Sequence, residues 1–104
     1  MAKRIVWSPE AAEDLKEILG YIALDSLSNA IQVVNRIEQA TSALVDFPNA
    51  GHPVPEFPDI PLRELGHTPY RVIYRVRQEE VQIVAVVHAA RLLKRAINDR
   101  PLDG

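Results

Sequence analysis

Five basic side chains in the second half of the chain are the residues best suited to chemistry. They are four arginines and one histidine: Arg63, Arg71, Arg75, His88 and Arg91. Arginine binds phosphate and carboxylate groups, and histidine can give or take a proton near neutral pH. If neighbouring strands bring some of them together, they form an anion site with His88 as acid or base. Alternatively, they lie on a solvated sheet face, as most charged side chains do.

Other kinds of site have little support in the sequence. One acidic cluster consists of Glu10, Glu13, Asp14 and Glu17. Its spacing is that of the solvated start of a helix, where the macrodipole favours negative charge. The histidines at 52, 67 and 88 lack partners at zinc-ligand spacing, and we expect the first two in loops. No serine lies in a glycine-flanked elbow, and no glycine-rich loop could hold a nucleotide. We therefore expect neither a metal nor another cofactor.

Length and composition indicate one small domain over residues 1–104. The chain is 47% hydrophobic and has no cysteine, so its core must form without disulfides. Its apolar runs are far shorter than the roughly 20 residues of a membrane span, and its start does not resemble a signal peptide. We therefore expect a cytoplasmic protein without membrane contact. The net charge of −2 disfavours extensive contact with nucleic acid, although residues 60–104 carry eight basic and five acidic groups.

The first half of the chain predicts a strand and two helices. Residues 3–7 alternate as a short strand, and Ser8-Pro9-Glu10 then begins a helix that should run to about Ala23. After a turn at residues 25–28, Ser28 is the expected cap of a second helix. The apolar stripe of this helix consists of Ile31, Val34, Ile37, Thr41, Leu44 and Val45. Two such helices with a short connection predict an antiparallel helical hairpin.

The second half predicts a proline-rich loop followed by strands. Residues 48–61 hold five of the eight prolines, residues 62–65 read as a strand and 66–69 as a turn. Two β-rich runs, 70–76 and 81–88, then form a hairpin at the centre of a sheet, and residues 92–97 a last short helix. The run 81–88 is apolar on nearly both faces. Because one helical hairpin covers only one face, we expect a partner protein to cover the other.

The order of these segments resembles the RelE/ParE superfamily of toxins over almost the whole chain. No single motif carries the resemblance, but the ordered set does. The matching segments are Trp7-Ser8-Pro9-Glu10-Ala11 with Asp14-Leu15, Tyr21-Ile22, Ala30, Ile37-Glu38, Phe47-Pro48 with Gly51, Arg63 with Leu65, Tyr70 to Val76, and Ile83 to His88 with Arg91.

The resemblance implies a toxin of a type II toxin-antitoxin system, held in a hetero-oligomer by a cognate antitoxin. It implies an α+β fold in β-α-α-β-β-β order with a short C-terminal helix, in which the helical hairpin packs on a small antiparallel sheet. ParE-like members poison DNA gyrase and are not enzymes, whereas RelE-like members are metal-independent, ribosome-dependent ribonucleases. The net negative charge, the lack of a tyrosine after Tyr74 and the lack of lysine between Lys16 and Lys94 favour gyrase inhibition. The alternatives are the ribonuclease, and a degenerate member that only binds its antitoxin.

The resemblance also indicates which residues would act. If the protein is a ribonuclease, the catalytic candidates are His88, Arg91, Arg63 and Arg71. Ala89 stands where those members can carry a tyrosine, which weakens that match. We expect the partner-binding surface, for a ParD-like antitoxin or for gyrase, to include Arg63, Arg71, Tyr74, Arg75, His88, Arg91 and Leu92.

Overall fold

The computed structural model describes residues 3–67, 69–97 and 100–102 and places a helical hairpin on one face of a five-stranded sheet. The elements in chain order are β1 (Arg4–Trp7), α1 (Pro9–Ala23), α2 (Leu27–Ser42), β2 (His52–Pro53), β3 (Arg63–His67), β4 (Tyr70–Val76), β5 (Glu80–His88) and α3 (Leu93–Ile97). A 3-10 turn, Ala43–Val45, extends α2. The α+β class and the expected order of the main elements are confirmed.

The sheet is mixed rather than wholly antiparallel. Its strand order is β1-β5-β4-β3-β2, and β1 runs parallel to β5 while the other neighbours are antiparallel. Parallel neighbours need a long crossover, and the chain between β1 and β5 is long enough to provide it. Two histidines expected in loops, His52 and His67, lie instead in β2 and at the end of β3.

Serine side chains cap both long helices. The Ser8 hydroxyl accepts a hydrogen bond from the Ala11 amide at 3.0 Å, as the sequence predicted for α1. The second cap is Ser26, not Ser28: its hydroxyl accepts from the Asn29 amide at 3.1 Å, because Ser26 has extended backbone and Ser28 already lies in the helix.

The helical face of the sheet holds the first of two cores. Its buried members include Ala11, Ile37, Leu44, Val72 and Tyr74. The stripe predicted for α2 is wrong at Ile31, which is 46% exposed, while Ala30 is buried. At its start, the inward face of α2 therefore contains Ala30 instead of Ile31.

A bulge in β5 divides its apolar side chains between the two cores. Ile73 pairs with Ala85 and Tyr74 with Ile83, which leaves Val84 as the extra residue. Val81, Ile83 and Val86 therefore face the helices, and Val84, Ala85 and Val87 face the opposite side. The sequence of β5 is apolar on both faces of the strand because both faces of the sheet are buried there.

The chain itself covers the second face of the sheet. The long loop contributes Val54 and Leu62, and α3 contributes Leu93 and Ile97, all at most 2% exposed. The expectation that a partner must cover this face is therefore wrong, because the loop and the C-terminal segment do so. Within the described part of the chain, no helix is long and apolar enough to cross a membrane.

Candidate functional site at the C-terminal end of β5

The end of β5 lies beside the start of β4, and this pairing sets the position of His88. Tyr70 is the register partner of His88, and their rings meet edge to face with centroids 5.5 Å apart. The Ala90 amide donates to Nδ1 of His88 at 3.0 Å. In the neutral ring this bond leaves the proton on Nε2. His88 is exposed, so Nε2 can meet a ligand.

Two clefts flank this end of β5 and share Arg91. The helix-side cleft, of about 560 Å³, is lined by His88, Arg91, Tyr70 and Val86 together with Asp14, Glu17, Ile18 and Tyr21 of α1. The basic cleft, of about 520 Å³, lies on the other side and is lined by residues 89–95 with Glu56 and Arg71. The sequence-predicted residues His88, Arg91, Leu92 and Arg71 thus come into one region.

Arg71 is held by two glutamates. Its Nη1 and Nη2 donate to the two carboxylate oxygens of Glu56 at 2.7 and 2.9 Å, and its Nε and Nη2 donate to Glu64 at 2.7 and 2.6 Å. The Arg71 and Glu64 side chains are 17% and 7% exposed. These bonds raise the pKa of Arg71 and lower the pKa of Glu56. Arg71 therefore joins the loop to the sheet and has little free capacity for an outside anion.

Arg63 and Arg75 lie away from His88. Nη2 of Arg63 donates to the carbonyl oxygens of Asn49 and Gly51 and so holds the start of the loop. Arg75 Nε donates to the side-chain oxygen of Gln82 at 2.6 Å, near β1. The predicted basic group is thus divided: Arg71, His88 and Arg91 lie at one end of β4, and Arg63 and Arg75 at the other.

Tyr74 is buried in the core and faces no solvent. Its side chain is fully covered, and its hydroxyl accepts a hydrogen bond from the Gly51 amide at 2.9 Å. A partner cannot reach it in this structure, so the prediction of Tyr74 as a partner contact is not carried further. Its role here is to position the loop at Gly51.

Sequence reasoning missed the ion pair between Asp14 and Arg100. The carboxylate of Asp14 accepts from both terminal nitrogens of Arg100 at 2.6 and 2.7 Å, and from the Val86 amide at 2.9 Å. Asp14 is not one of the solvated acids of α1, because its side chain is 12% exposed. Its spacing from the inward-facing Ala11 and Ile18 is a signal that could have shown this.

The arrangement can bind anions but contains no catalytic pair in hydrogen-bond contact. His88 has no carboxylate bonded to its ring among the described residues. In the same part of the chain, no group of three or more acidic or histidine side chains could hold a metal ion. The site can therefore bind an anion through exposed cations beside His88.

Comparison with known proteins assigns this fold to a class. A solved structure described as the chromosomal ParDE toxin-antitoxin system of P. aeruginosa has a chain that is 28% identical, with a TM-score of 0.68 and coverage of 84% of this chain and 96% of that one. A mutant of the E. coli toxin RelE in the free state has a TM-score of 0.58 at 18% identity, over 86% of each chain, and shows the fold alone. The protein is therefore a member of the RelE/ParE superfamily of toxins.

Sequence comparison identifies the family within this superfamily. The model of the family described as "ParE toxin of type II toxin-antitoxin system, parDE" matches residues 5–93, and the chain belongs to this family. Y4kP of Sinorhizobium fredii, which is named as a toxin, is 36% identical over 84% of this chain and 88% of its own length. Toxin RelE2 of Caulobacter vibrioides is 34% identical over 86% and 98%.

Proposed function

We propose that this protein is a cytoplasmic toxin that inhibits DNA gyrase and is neutralised by a ParD-like antitoxin. The family supplies the two candidate targets, gyrase and the translating ribosome. The observation that favours gyrase over the ribosome concerns the partners of Arg71. A ribonuclease needs free cations around the scissile phosphate, where they stabilise charge that develops in the transition state.

Arg71 is poorly suited to that task. Glu56 and Glu64 together carry two negative charges against its one, and both lie within 3 Å of its guanidinium. A phosphate approaching Arg71 would meet two carboxylates, and releasing the arginine would break several charge-assisted hydrogen bonds. Arg71 is therefore a poor candidate for the catalytic role predicted for it in a ribonuclease, and this favours a toxin that acts by binding its target.

The second candidate function is the ribosome-dependent ribonuclease. The exposed His88 beside Arg91 favours it, because a histidine with a free Nε2 could transfer a proton while Arg91 contacts a phosphate. The likeness to toxin RelE2 is compatible with either target. A member that only binds its antitoxin would differ from both by causing no growth arrest on induction.

The deciding experiment uses purified protein with gyrase and with translating ribosomes. We expect gyrase to accumulate cleaved plasmid DNA in the presence of the protein, and messenger RNA on ribosomes to stay intact. Normal supercoiling at saturating protein, together with codon-positioned cleavage of transcripts, would overturn the proposal. In that case His88→Ala and Arg91→Ala should abolish cutting without unfolding the domain, since both side chains are exposed.

The surface proposed for the antitoxin consists of the predicted residues that lie together and exposed at the end of β5: His88, Arg91 and Leu92. Leu92 is 66% exposed and stands beside cations, which suits an apolar anchor within an acidic partner segment. Leu92→Asp should weaken capture of the antitoxin encoded next to this gene by about tenfold or more. Phe47→Asp is the matched control, because Phe47 is 67% exposed in a different region. Equal losses for both variants would place the contact elsewhere.

A further inference from the structure

The basic cleft contains three exposed cations besides Arg71. Arg91, Lys94 and Arg95 are exposed, and none forms a salt bridge within the described part of the chain. By contrast, Arg4, Arg71 and Arg100 are paired with carboxylates. These three cations, named here the α3 cationic cluster, lie within five residues of sequence.

A rigid support fixes the direction of the cluster. Leu93 and Ile97 of α3 are buried in the second core, at 2% and 0% exposure. Lys94 and Arg95 lie between them and therefore point outward, next to Arg91 in the wall of the same cleft. Buried anchors on the inner side of a helix hold such outward cations in place without immobilising their ends.

The charge of the cleft suits a chain of phosphates. Among the described lining residues, Glu56 is the acidic one; Arg71 forms a salt bridge with it, and the charge of Lys94 also acts on it. The three cations stand at positions 91, 94 and 95 along one wall of the cleft, so they can contact more than one phosphate. That pattern fits an extended phosphodiester backbone better than a single small anion.

We infer that the α3 cationic cluster binds a phosphodiester backbone, and that this is the DNA which gyrase holds during cleavage. The inference rests on the proposed function for the identity of the nucleic acid. It deepens that proposal, because it places part of the toxin on the DNA of the complex rather than on gyrase alone. The overall charge of −2 makes a contact of only two or three phosphates the expected extent.

The test measures the salt dependence of binding to short duplex DNA and to a gyrase–DNA complex. For two to three phosphate contacts, the slope of log K against log salt should be roughly −2 to −3. The variant Lys94→Gln/Arg95→Gln should flatten this slope by about 2 and lower trapping of cleaved DNA about tenfold or more at physiological salt. The charge-conserving variant Lys94→Arg/Arg95→Lys should keep both properties.

The control variant removes the same charge from another surface. Lys16→Gln/Arg36→Gln alters two exposed cations on α1 and α2, and its slope should stay that of the wild type. Equal flattening in both variants would reveal a general charge effect and overturn the inference. It would also be overturned if Lys94→Gln/Arg95→Gln lost binding to gyrase without DNA, because the cluster would then contact protein.

Further outcomes of the same measurements distinguish the gyrase proposal from the backbone contact, and DNA from RNA. If the wild type fails to trap cleaved DNA but still binds duplex with the expected slope, the gyrase proposal fails while the backbone contact stands. If single-stranded RNA binds with that slope and duplex DNA does not, the contact is with RNA and the assignment to gyrase DNA is wrong. A wild-type slope near zero with both nucleic acids contradicts the inference as a whole.

Discussion

Asp14 and Arg100 join the first helix to the C-terminal segment across the uncovered edge of β5. β1 pairs with β5 only as far as Ile83. Beyond that point, Arg100 donates to the Val84 carbonyl at 3.0 Å and Asp14 accepts from the Val86 amide at 2.9 Å. Two side chains thus satisfy backbone groups that a further strand would otherwise pair.

This relationship predicts a large cost for losing either partner. Arg100→Ala should destabilise the domain by about 3 kcal/mol, because it leaves the largely buried carboxylate of Asp14 without its counter-charge. Asp14→Ala should cost a similar amount, and the double variant should cost clearly less than the sum, since the two share one interaction. Urea unfolding of the four proteins measures this. Glu13→Ala, at an exposed site on the same helix, is the control and should stay within roughly 0.5 kcal/mol of the wild type.

The helical phase of α2 can be tested with two isoleucines. Ile37 is fully buried between the helices and the sheet, whereas Ile31 is 46% exposed. Ile37→Ala should lower the free energy of unfolding by ~2 to 4 kcal/mol through the cavity that it leaves. Ile31→Ala should cost under about 1 kcal/mol, because water already reaches that side chain. Similar losses in a denaturant melt would show that the helix faces the sheet differently.

The pairing of Glu56 with Arg71 predicts a dependence of stability on acid pH. The hydrogen bonds from Arg71 lower the pKa of Glu56 from its ordinary value of 4.5. The stabilisation from this carboxylate is therefore fully present above pH 4.5, and it is lost as the pH falls through the lower folded-state value. The difference in unfolding free energy between the wild type and Glu56→Gln should be constant from pH 7 to about pH 5 and then shrink.

Gly51 should tolerate no side chain. A Cβ there would lie 2.7 Å from the Tyr74 hydroxyl and closer still to the carbonyl oxygen of Glu64. Gly51→Ala should therefore destabilise the domain by about 2 kcal/mol or more, as overpacking does. Gly66→Ala is the control, because a Cβ at Gly66 meets nothing within 4 Å. Tyr74→Phe should cost about 1 to 2 kcal/mol, since it leaves the buried Gly51 amide without an acceptor. Thermal melts of the three variants measure these losses. Equal stability of Gly51→Ala and Gly66→Ala would contradict the prediction for Gly51.

The sequence by itself determined the elements and the inward side chains of the central hairpin. Alternation along β4 placed Tyr70, Val72 and Tyr74 on one face, and the Ser8-Pro9 pair marked the start of α1. These features depend on local backbone preference and on periodic burial, which neighbouring residues largely decide. The resemblance that named the superfamily used the same segments, and the comparisons confirm it.

Only the tertiary structure decided what the charged residues do. Arg71 and Arg91 look alike in sequence, yet Glu56, fifteen residues before Arg71, helps to neutralise it, while Arg91 has no carboxylate partner in the described part. The covering of the second sheet face and the pairing of Asp14 with Arg100, eighty-six residues apart, also depend on where distant segments meet. A charge's role is set by the groups within a few ångströms of it, and folding brings those groups from any part of the chain.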